Sequence, residues 1–155
     1  MPLASQHHNF DRLSDRLRDA HAVTPELMSG FIREACRRFP SMGQRAKTAR
    51  IEHLIQSGAW IDTALALMDL ELPLWQIRRI AYDEGEWLCS LSRERELPEW
   101  LDQSVEARHE DLPLAILSAF VEAQRVGAAA NRTSVPAVPQ ETSPLCEPDC
   151  SGNFA

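Results

Sequence analysis

The chain has 155 residues, of which 44% are hydrophobic and 25% are charged, and it carries a formal net charge of −7 at pH 7. This length suits one domain with some unstructured sequence, and the acidic balance argues against a general affinity for nucleic acid or anionic membranes. The longest nearly continuous apolar run, residues 112–121, is too short to cross a bilayer. The first residues, MPLASQHHNF, contain no cationic or apolar signal segment, so we expect a cytoplasmic protein with reduced cysteines.

Four helices are predicted in the first half of the chain, where apolar residues recur at helical spacing. Their predicted ranges are residues 9–22, 25–39, 44–57 and 59–70. Thr24 and Pro25 supply an N-cap and a first-turn proline for the second helix, and Pro40 prevents its continuation. The fourth segment is apolar around much of its circumference, so we expect it to be the most buried helix.

The apolar period then changes to two, and the segment WQIRRIAYDEGEWLCSLS predicts a β-hairpin with its turn at residues 84–85. The cross-strand pairs in this register are Arg78–Leu91, Ile80–Cys89 and Tyr82–Trp87. One face then carries five residues that we expect to be buried, with Trp87 as a core anchor: Ile80, Tyr82, Trp87, Cys89 and Leu91. The residues before Ile80 are out of phase with that face, which predicts a bulge near Arg78 or a late start of the first strand.

The rest of the chain is predicted to contain a loop, a helix and a tail. Residues 93–108 are mostly polar and are predicted to form a loop with an apolar anchor at Trp100 and Leu101. A last helix is predicted to start near residues 109–111 and to end at Gly127. Beyond Gly127, prolines and small polar residues leave little surface to bury, which predicts disorder.

These elements together predict a mostly helical α+β fold in the order α-α-α-α-β-β-α, with one antiparallel β-hairpin packed on helices. We divide the chain into a N-terminal helical extension at residues 1–43, an α+β core domain at residues 44–127 and a disordered tail at residues 128–155. Because apolar periodicity is lost after Gly127, the tail is expected to add no stability.

Four motifs mark the middle of the chain: SGAW at 57–60, LELPLW at 70–75, DEGEWLCSLSR at 83–93 and LPLAILSAFVEA at 112–123. With these motifs the chain resembles a group of short bacterial proteins of unknown function. The resemblance covers roughly residues 54–125, about half of the chain. It implies no activity, cofactor or catalytic residue. The first 42 residues lie outside it, so Met42 is an alternative start.

The sequence contains no phosphate-binding glycine loop, GxSxG elbow, HExxH pair or dinucleotide fingerprint. Cys36 and Cys89 lie on apolar faces, which favours buried, inert thiols, and His53 is predicted to face solvent. Helix-dipole and turn roles account for two polar clusters, His109–Glu110–Asp111 and Asp83–Glu84 with Glu86. We therefore predict no catalytic residue and no cofactor.

Cys146 and Cys150 form the one pair that resembles a metal or disulfide site, because two thiolates four residues apart can chelate a soft metal or close a small ring. A structural zinc site normally needs four ligands, and no second Cys or His pair lies nearby in the sequence. The alternative is a tail that happens to contain two cysteines, and we expect no bound metal.

Charge is unevenly distributed along the chain. Residues 33–50 contain six basic side chains against one acid, whereas residues 69–111 contain five basic side chains against twelve acids. Solvated faces explain this asymmetry, and so does docking of one half on the other, within the chain or between two copies. The absence of catalytic motifs and the four tryptophans then favour a small interaction or regulatory module with a protein partner or self-association.

A winged-helix-like nucleic-acid-binding protein is the alternative function, because two short helices precede a hairpin, and four arginines are placed to decorate its wing: Arg78, Arg79, Arg93 and Arg95. The helix in the recognition position has Asp62 and Asp69 and no basic residue, which disfavours contact with phosphates. An enzyme is the third class, and the small domain without clustered acid–base or nucleophile motifs disfavours it.

Overall fold

The computed structural model describes residues 3–93 and 103–133. The elements in chain order are α1 (Leu3–Asp19), α2 (Pro25–Ala35), α3 (Arg45–Gln56), α4 (Trp60–Glu71), β1 (Gln76–Asp83), β2 (Glu86–Ser92), β3 (Ser104–His109) and α5 (Leu112–Thr133), with a short 3-10 turn at Met42–Gln44. This architecture confirms the predicted mostly helical α+β class. The order differs from the predicted one by a third strand.

The three strands form one antiparallel sheet in the order β1-β2-β3. The prediction of a loop over residues 93–108 is wrong for β3, where Val105, Ala107 and His109 pair with β2. Alanine and histidine carry little apolar signal, so the alternation in SVEARH is weak in sequence and becomes a strand by pairing with β2. The predicted anchor at Trp100 and Leu101 lies outside the described residues.

The hairpin turns at Glu84 and Gly85, whose φ angles of 53° and 86° are those of a type I′ turn. The predicted pairs Tyr82–Trp87 and Ile80–Cys89 are confirmed. This turn matches the right-handed twist of the flanking strands, so it sets the register that the apolar pattern predicts.

A bulge interrupts β1 at Arg78, as predicted. The register shifts between Ile77 and Arg79, and Ile77 pairs with Leu91. The predicted pair of Arg78 with Leu91 is therefore wrong, because the extra residue returns Ile77 to the face that carries Leu91.

Helix α2 begins as predicted, with the Thr24 hydroxyl accepting a hydrogen bond from the Leu27 N–H at 3.1 Å. It ends at Ala35 and not at residue 39. The cause is Glu71, whose carboxylate accepts hydrogen bonds from the backbone N–H groups of the three residues 37–39 at 2.7–2.9 Å. These donors are thereby withdrawn from the helical ladder.

The most buried helix is α5 and not α4, which corrects the prediction from circumferential apolarity. Eight of its side chains have no measurable exposure: Leu114, Ala115, Ile116, Leu117, Ala119, Phe120, Val121 and Ala123. Helix α4 keeps Asp62 and Asp69 in solvent and exposes Ile61. Helix α5 also continues past the predicted end at Gly127 to Thr133, because the alanines that follow offset the ~1 kcal/mol cost of one internal glycine.

Helices α1 and α2 contribute buried side chains to the core. Leu13 and Leu17 of α1 are buried, and Phe31 of α2 contacts Phe120 of α5 edge to face. A hydrogen bond of 2.6 Å joins the Gln124 amide to the Ala35 carbonyl. Folding of residues 44–127 without the N-terminal segment stays a prediction, and this packing leads us to expect that those residues lose stability when it is removed.

Candidate interaction surface

Strands β1 and β3 are the two edge strands of the sheet, and the described residues place no strand against the outer edge of β1. Ile77, Ile80 and Tyr82 of β1 share one face of the sheet with Trp87, Cys89 and Leu91 of β2, because paired residues lie on the same face. Cys89 and Leu91 are fully buried, whereas Ile80 is 38% and Tyr82 60% exposed. This face is therefore buried at Cys89 and Leu91 of β2 and open to solvent at Ile80 and Tyr82 of β1.

The predicted burial of this face is wrong at its outer end. Ile80 and Tyr82 are exposed, and Trp87 is only half-buried, so Trp87 is not a core anchor. Its ring packs against the Tyr82 ring, with centroids 5.0 Å apart at an angle of 59°. Alternation determines which residues share a face, but the extent of the covering layer determines which of them are buried.

The backbone of β1 also presents hydrogen-bonding groups outward. Asp83 and Glu86 flank the two-residue turn, and in such a hairpin the flanking pair is hydrogen-bonded, with hydrogen-bonded and non-hydrogen-bonded pairs alternating along the strands. Ile80 and Tyr82 therefore belong to non-hydrogen-bonded pairs. Their N–H and C=O groups point away from β2, toward the outer edge.

Two exposed charged residues flank these outward-facing groups. Arg79 and Asp83 lie on the opposite face of β1 from Ile80 and Tyr82. Within the described part of the chain, neither side chain has a hydrogen bond or an ion pair. We call residues 79–83, with the sequence RIAYD, the β1 edge.

A polar cavity of about 190 Å³ lies beside the opposite strand, between α1, β3 and α5. Its charged lining residues are Arg18, Glu106, Arg108 and Glu122. Their charges offset each other, so the cavity has no preference for an anion or a cation. The buried His109 lines it too, and its Nδ1 accepts a hydrogen bond from the Asp111 N–H at 2.9 Å.

The polar cluster before α5 has the structural role that the sequence predicts. The Asp111 carboxylate accepts a hydrogen bond from the Leu114 N–H at 3.4 Å in the first turn of α5, where negative charge favours the helix dipole. The Oε1 atom of Glu110 lies 3.1 Å from Nδ1 of His21, and both side chains are exposed. These contacts orient the start of α5 and bring no nucleophile to it.

The cysteines Cys36 and Cys89 are buried, as predicted. Burial, reinforced by the nearby Glu71 carboxylate, raises the pKa of the Cys36 thiol. Burial alone raises the pKa of Cys89 from 9.0 to about 11. Both thiols are therefore protonated at neutral pH, a state that is a poor nucleophile and a poor metal ligand.

Of the other predicted site residues, His53 and the acids of the hairpin tip lie on separate elements. His53 is exposed on α3, as predicted, and residues 83, 84 and 86 are exposed at the hairpin tip. Cys146 and Cys150 lie outside the described residues. Over residues 3–93 and 103–133 there is no group of three or more His, Cys, Asp or Glu side chains placed to hold a metal ion, and no helix is long and apolar enough to cross a membrane.

Helices α3 and α4 enclose a second cavity, of about 170 Å³, with charges of both signs. Lys47 and Arg50 line it together with Asp62 and Asp69. The Lys47 ammonium lies 2.9 Å from the Asp69 carboxylate. The acids of α4 thus partly neutralise the basic segment that precedes them.

Comparisons of the chain with protein-family models, with curated proteins and with solved structures find no match. The β1 edge is the surface on which backbone donors, exposed apolar side chains and unpaired charges coincide. The alternation of apolar residues places the β1 edge in one hairpin but predicts that Ile80 and Tyr82 are buried. The weak alternation in SVEARH is the one sequence signal for β3, the strand that pairs with the second edge of β2.

Proposed function

We propose that this protein is a small protein-interaction module that binds an extended polypeptide segment along the β1 edge. The observation that carries the proposal is the contrast along one face of the sheet: Cys89 of β2 is fully buried, whereas its partner Ile80 on β1 is 38% exposed beside an edge to which none of the described strands pairs. Such edges are templates for a further strand.

Strand addition supplies both affinity and selectivity at this site. The outward N–H and C=O groups of Ile80 and Tyr82 offer four backbone hydrogen bonds to an antiparallel strand. Ile80 and Tyr82 favour aliphatic or aromatic side chains on the same face of the added strand. Arg79 and Asp83 favour side chains of opposite charge on the other face. The preferred ligand is therefore an alternating apolar segment with one acid and one base.

The charges of α3 and α4 support this function over nucleic-acid binding. Asp62 and Asp69 are exposed on α4 and would repel phosphates at contact distance. Lys47, which would attract phosphates, already pairs with Asp69. A polypeptide strand on β1 requires no contact with α4.

Selection from a library of random extended peptides tests the proposed function. Peptides selected on the full-length protein should lose binding to Ile80→Lys and Tyr82→Lys variants, because a charged side chain on the exposed face opposes an apolar strand. Leu74→Lys is the matched control, since Leu74 is 61% exposed and lies outside β1. Hydrogen exchange at the Ile80 and Tyr82 amides should slow in the complex. Binding that survives both β1 variants, or protection elsewhere only, would refute the proposal.

A further inference from the structure

The β1 edge is complementary to itself. Its sequence, Arg-Ile-Ala-Tyr-Asp, has a base at one end, an acid at the other, two large apolar residues between them and Ala81 at the centre. We propose that the strand added to β1 is β1 of a second copy, paired antiparallel across a two-fold axis at Ala81. This inference rests on the proposed function, because it names the partner of the same edge.

The two-fold axis at Ala81 fixes every pair. Arg79 lies opposite Asp83 of the partner subunit, and Asp83 lies opposite the partner's Arg79. Ile80 lies opposite the partner's Tyr82, and the reverse pair repeats this contact. All five positions of the β1 edge are therefore matched in charge or in apolar character, and the Arg79–Asp83 and Ile80–Tyr82 matches each occur twice.

The same register satisfies the backbone. Ile80 and Tyr82 are the residues whose N–H and C=O groups face outward, and the register places them opposite each other as hydrogen-bonded pairs. Two such pairs give four N–H to O=C bonds. Ala81 meets the partner's Ala81 in a non-hydrogen-bonded pair, where Cα atoms are about 4.5 Å apart.

Neighbouring registers lose one of these matches. If the two-fold axis passes between two residues, each residue whose N–H and C=O groups face outward lies opposite a residue whose groups point back into its own sheet. No ladder of hydrogen bonds then forms. Centring it on Ile80 or on Tyr82 keeps the ladder but places Arg79 or Asp83 opposite Ala81. Pairing about Ala81 is the arrangement among these in which both the charges and the hydrogen bonds are matched.

Pairing about Ala81 also covers the exposed apolar residues. A two-fold axis perpendicular to the sheet keeps the same face upward in both copies, so the two three-stranded sheets become one of six strands. Ile80 and Tyr82 of each copy then lie on the two central strands of that sheet, and Trp87 lies beside Tyr82 on the next strand. The apolar surface that is exposed at β1 in one copy therefore lies in the middle of the six-stranded sheet of the dimer.

Charge reversal at the two ends of the β1 edge tests this register. Arg79→Asp alone sets acid against acid twice, and Asp83→Arg alone sets base against base twice. Each variant should raise the dimer dissociation constant at least roughly tenfold. The double variant Arg79→Asp/Asp83→Arg should restore dimerisation. Sedimentation of the full chain over a wide concentration range gives the constants, and Arg33→Asp, an exposed site on α2, is the control.

A disulfide at the axis provides a second, independent measurement. Ala81→Cys places two thiols across a non-hydrogen-bonded pair, within the Cα separation of about 4.4–6.8 Å that a disulfide spans. In a Cys146→Ser/Cys150→Ser background, Ala81→Cys should form a covalent dimer under mild oxidation, and Leu74→Cys, at a more exposed site, should not. Circular dichroism of each variant verifies folding, so that loss of dimer is read only from folded protein.

The outcomes separate this inference from the proposed function. A folded wild-type chain that stays monomeric at every concentration, or a dimer that the charge reversals leave unchanged, overturns self-pairing. Selected peptides that bind wild type and not Ile80→Lys would still support strand addition in that case. A dimer lost in the single variants and regained in the double variant supports pairing about Ala81. Dissociation by Arg33→Asp would place the interface on the basic segment instead and overturn the inference.

Discussion

The rings of Phe31 and Phe120 meet edge to face, with centroids 5.1 Å apart at 72°, and both side chains are fully buried. This contact joins α2 to the central helix α5. Phe31→Ala should therefore lower the free energy of unfolding by ~3–5 kcal/mol, because it leaves a cavity against Phe120. Chemical denaturation measures the change. Ile61→Ala, at an exposed apolar site, should cost far less, and equal losses would show that α2 does not belong to the folding core.

Replacement of the buried Glu71 carboxylate by an amide is expected to lower the stability of the fold. Glu71→Gln replaces one acceptor oxygen by an NH₂ group that faces a backbone donor, so one N–H of residues 37–39 loses its partner. We expect a loss of about 1–3 kcal/mol in the free energy of unfolding. Glu52→Gln, on the exposed side of α3, is the control. No difference between the two variants would mean that the three hydrogen bonds add no stability.

Leu91 and Trp87 should differ in their effect on stability, although both lie on the same face of β2. Leu91 is fully buried, so Leu91→Ala should cost ~2–5 kcal/mol. Trp87 is half-buried and packs mainly on the exposed Tyr82 ring, so Trp87→Ala should cost less. Thermal unfolding of monomeric protein at low concentration separates this effect from dimerisation. A larger loss of stability for Trp87→Ala than for Leu91→Ala would mean that the helices also cover the part of this face next to β1.

The buried cysteines should resist alkylation in the folded protein. Because burial raises the pKa of Cys89 to about 11 and also raises that of Cys36, both thiols stay protonated at pH 8. The labelling rate of Cys89 by iodoacetamide should rise with pH toward 11, since only the thiolate reacts. Mass spectrometry of a Cys146→Ser/Cys150→Ser variant isolates these two positions. Fast labelling of folded protein at pH 8 would contradict the burial of both thiols.

Binding to random duplex DNA should be weak at physiological salt. Arg50 on α3 can attract phosphates, but Asp62 and Asp69 of α4 line the same cavity, and Lys47 is paired with Asp69. Any binding at low salt should fade steeply as salt rises, because it depends on release of counterions. Titration at two salt concentrations measures this. Tight, sequence-dependent binding at physiological salt would support the winged-helix alternative.

The sequence predicts the turns and strand register of this fold better than it predicts which residues are buried. The turn at Glu84 and Gly85 and the pair Ile80–Cys89 follow from short-range rules of turn chemistry and alternation, and both are confirmed. Exposure of Ile80 depends on where the helical layer ends, which is set by packing between distant segments. The same limit applies to Glu71, whose hydrogen-bond partners lie more than 30 residues earlier in the chain, and to β3, which pairing with β2 defines.

The bulge at Arg78 limits the size of the β-assembly that the sheet can form. It breaks the alternation of β1 just before Arg79, so an uninterrupted partner strand stays in phase over residues 79–83 only. Fibres form when strands add to a long, regular edge. The bulge limits the regular edge of β1 to five residues, which end in charges of opposite sign. The extra residue thus limits the length of β-structure that can grow from this edge, and it protects the chain against open-ended aggregation at the site where pairing is easiest.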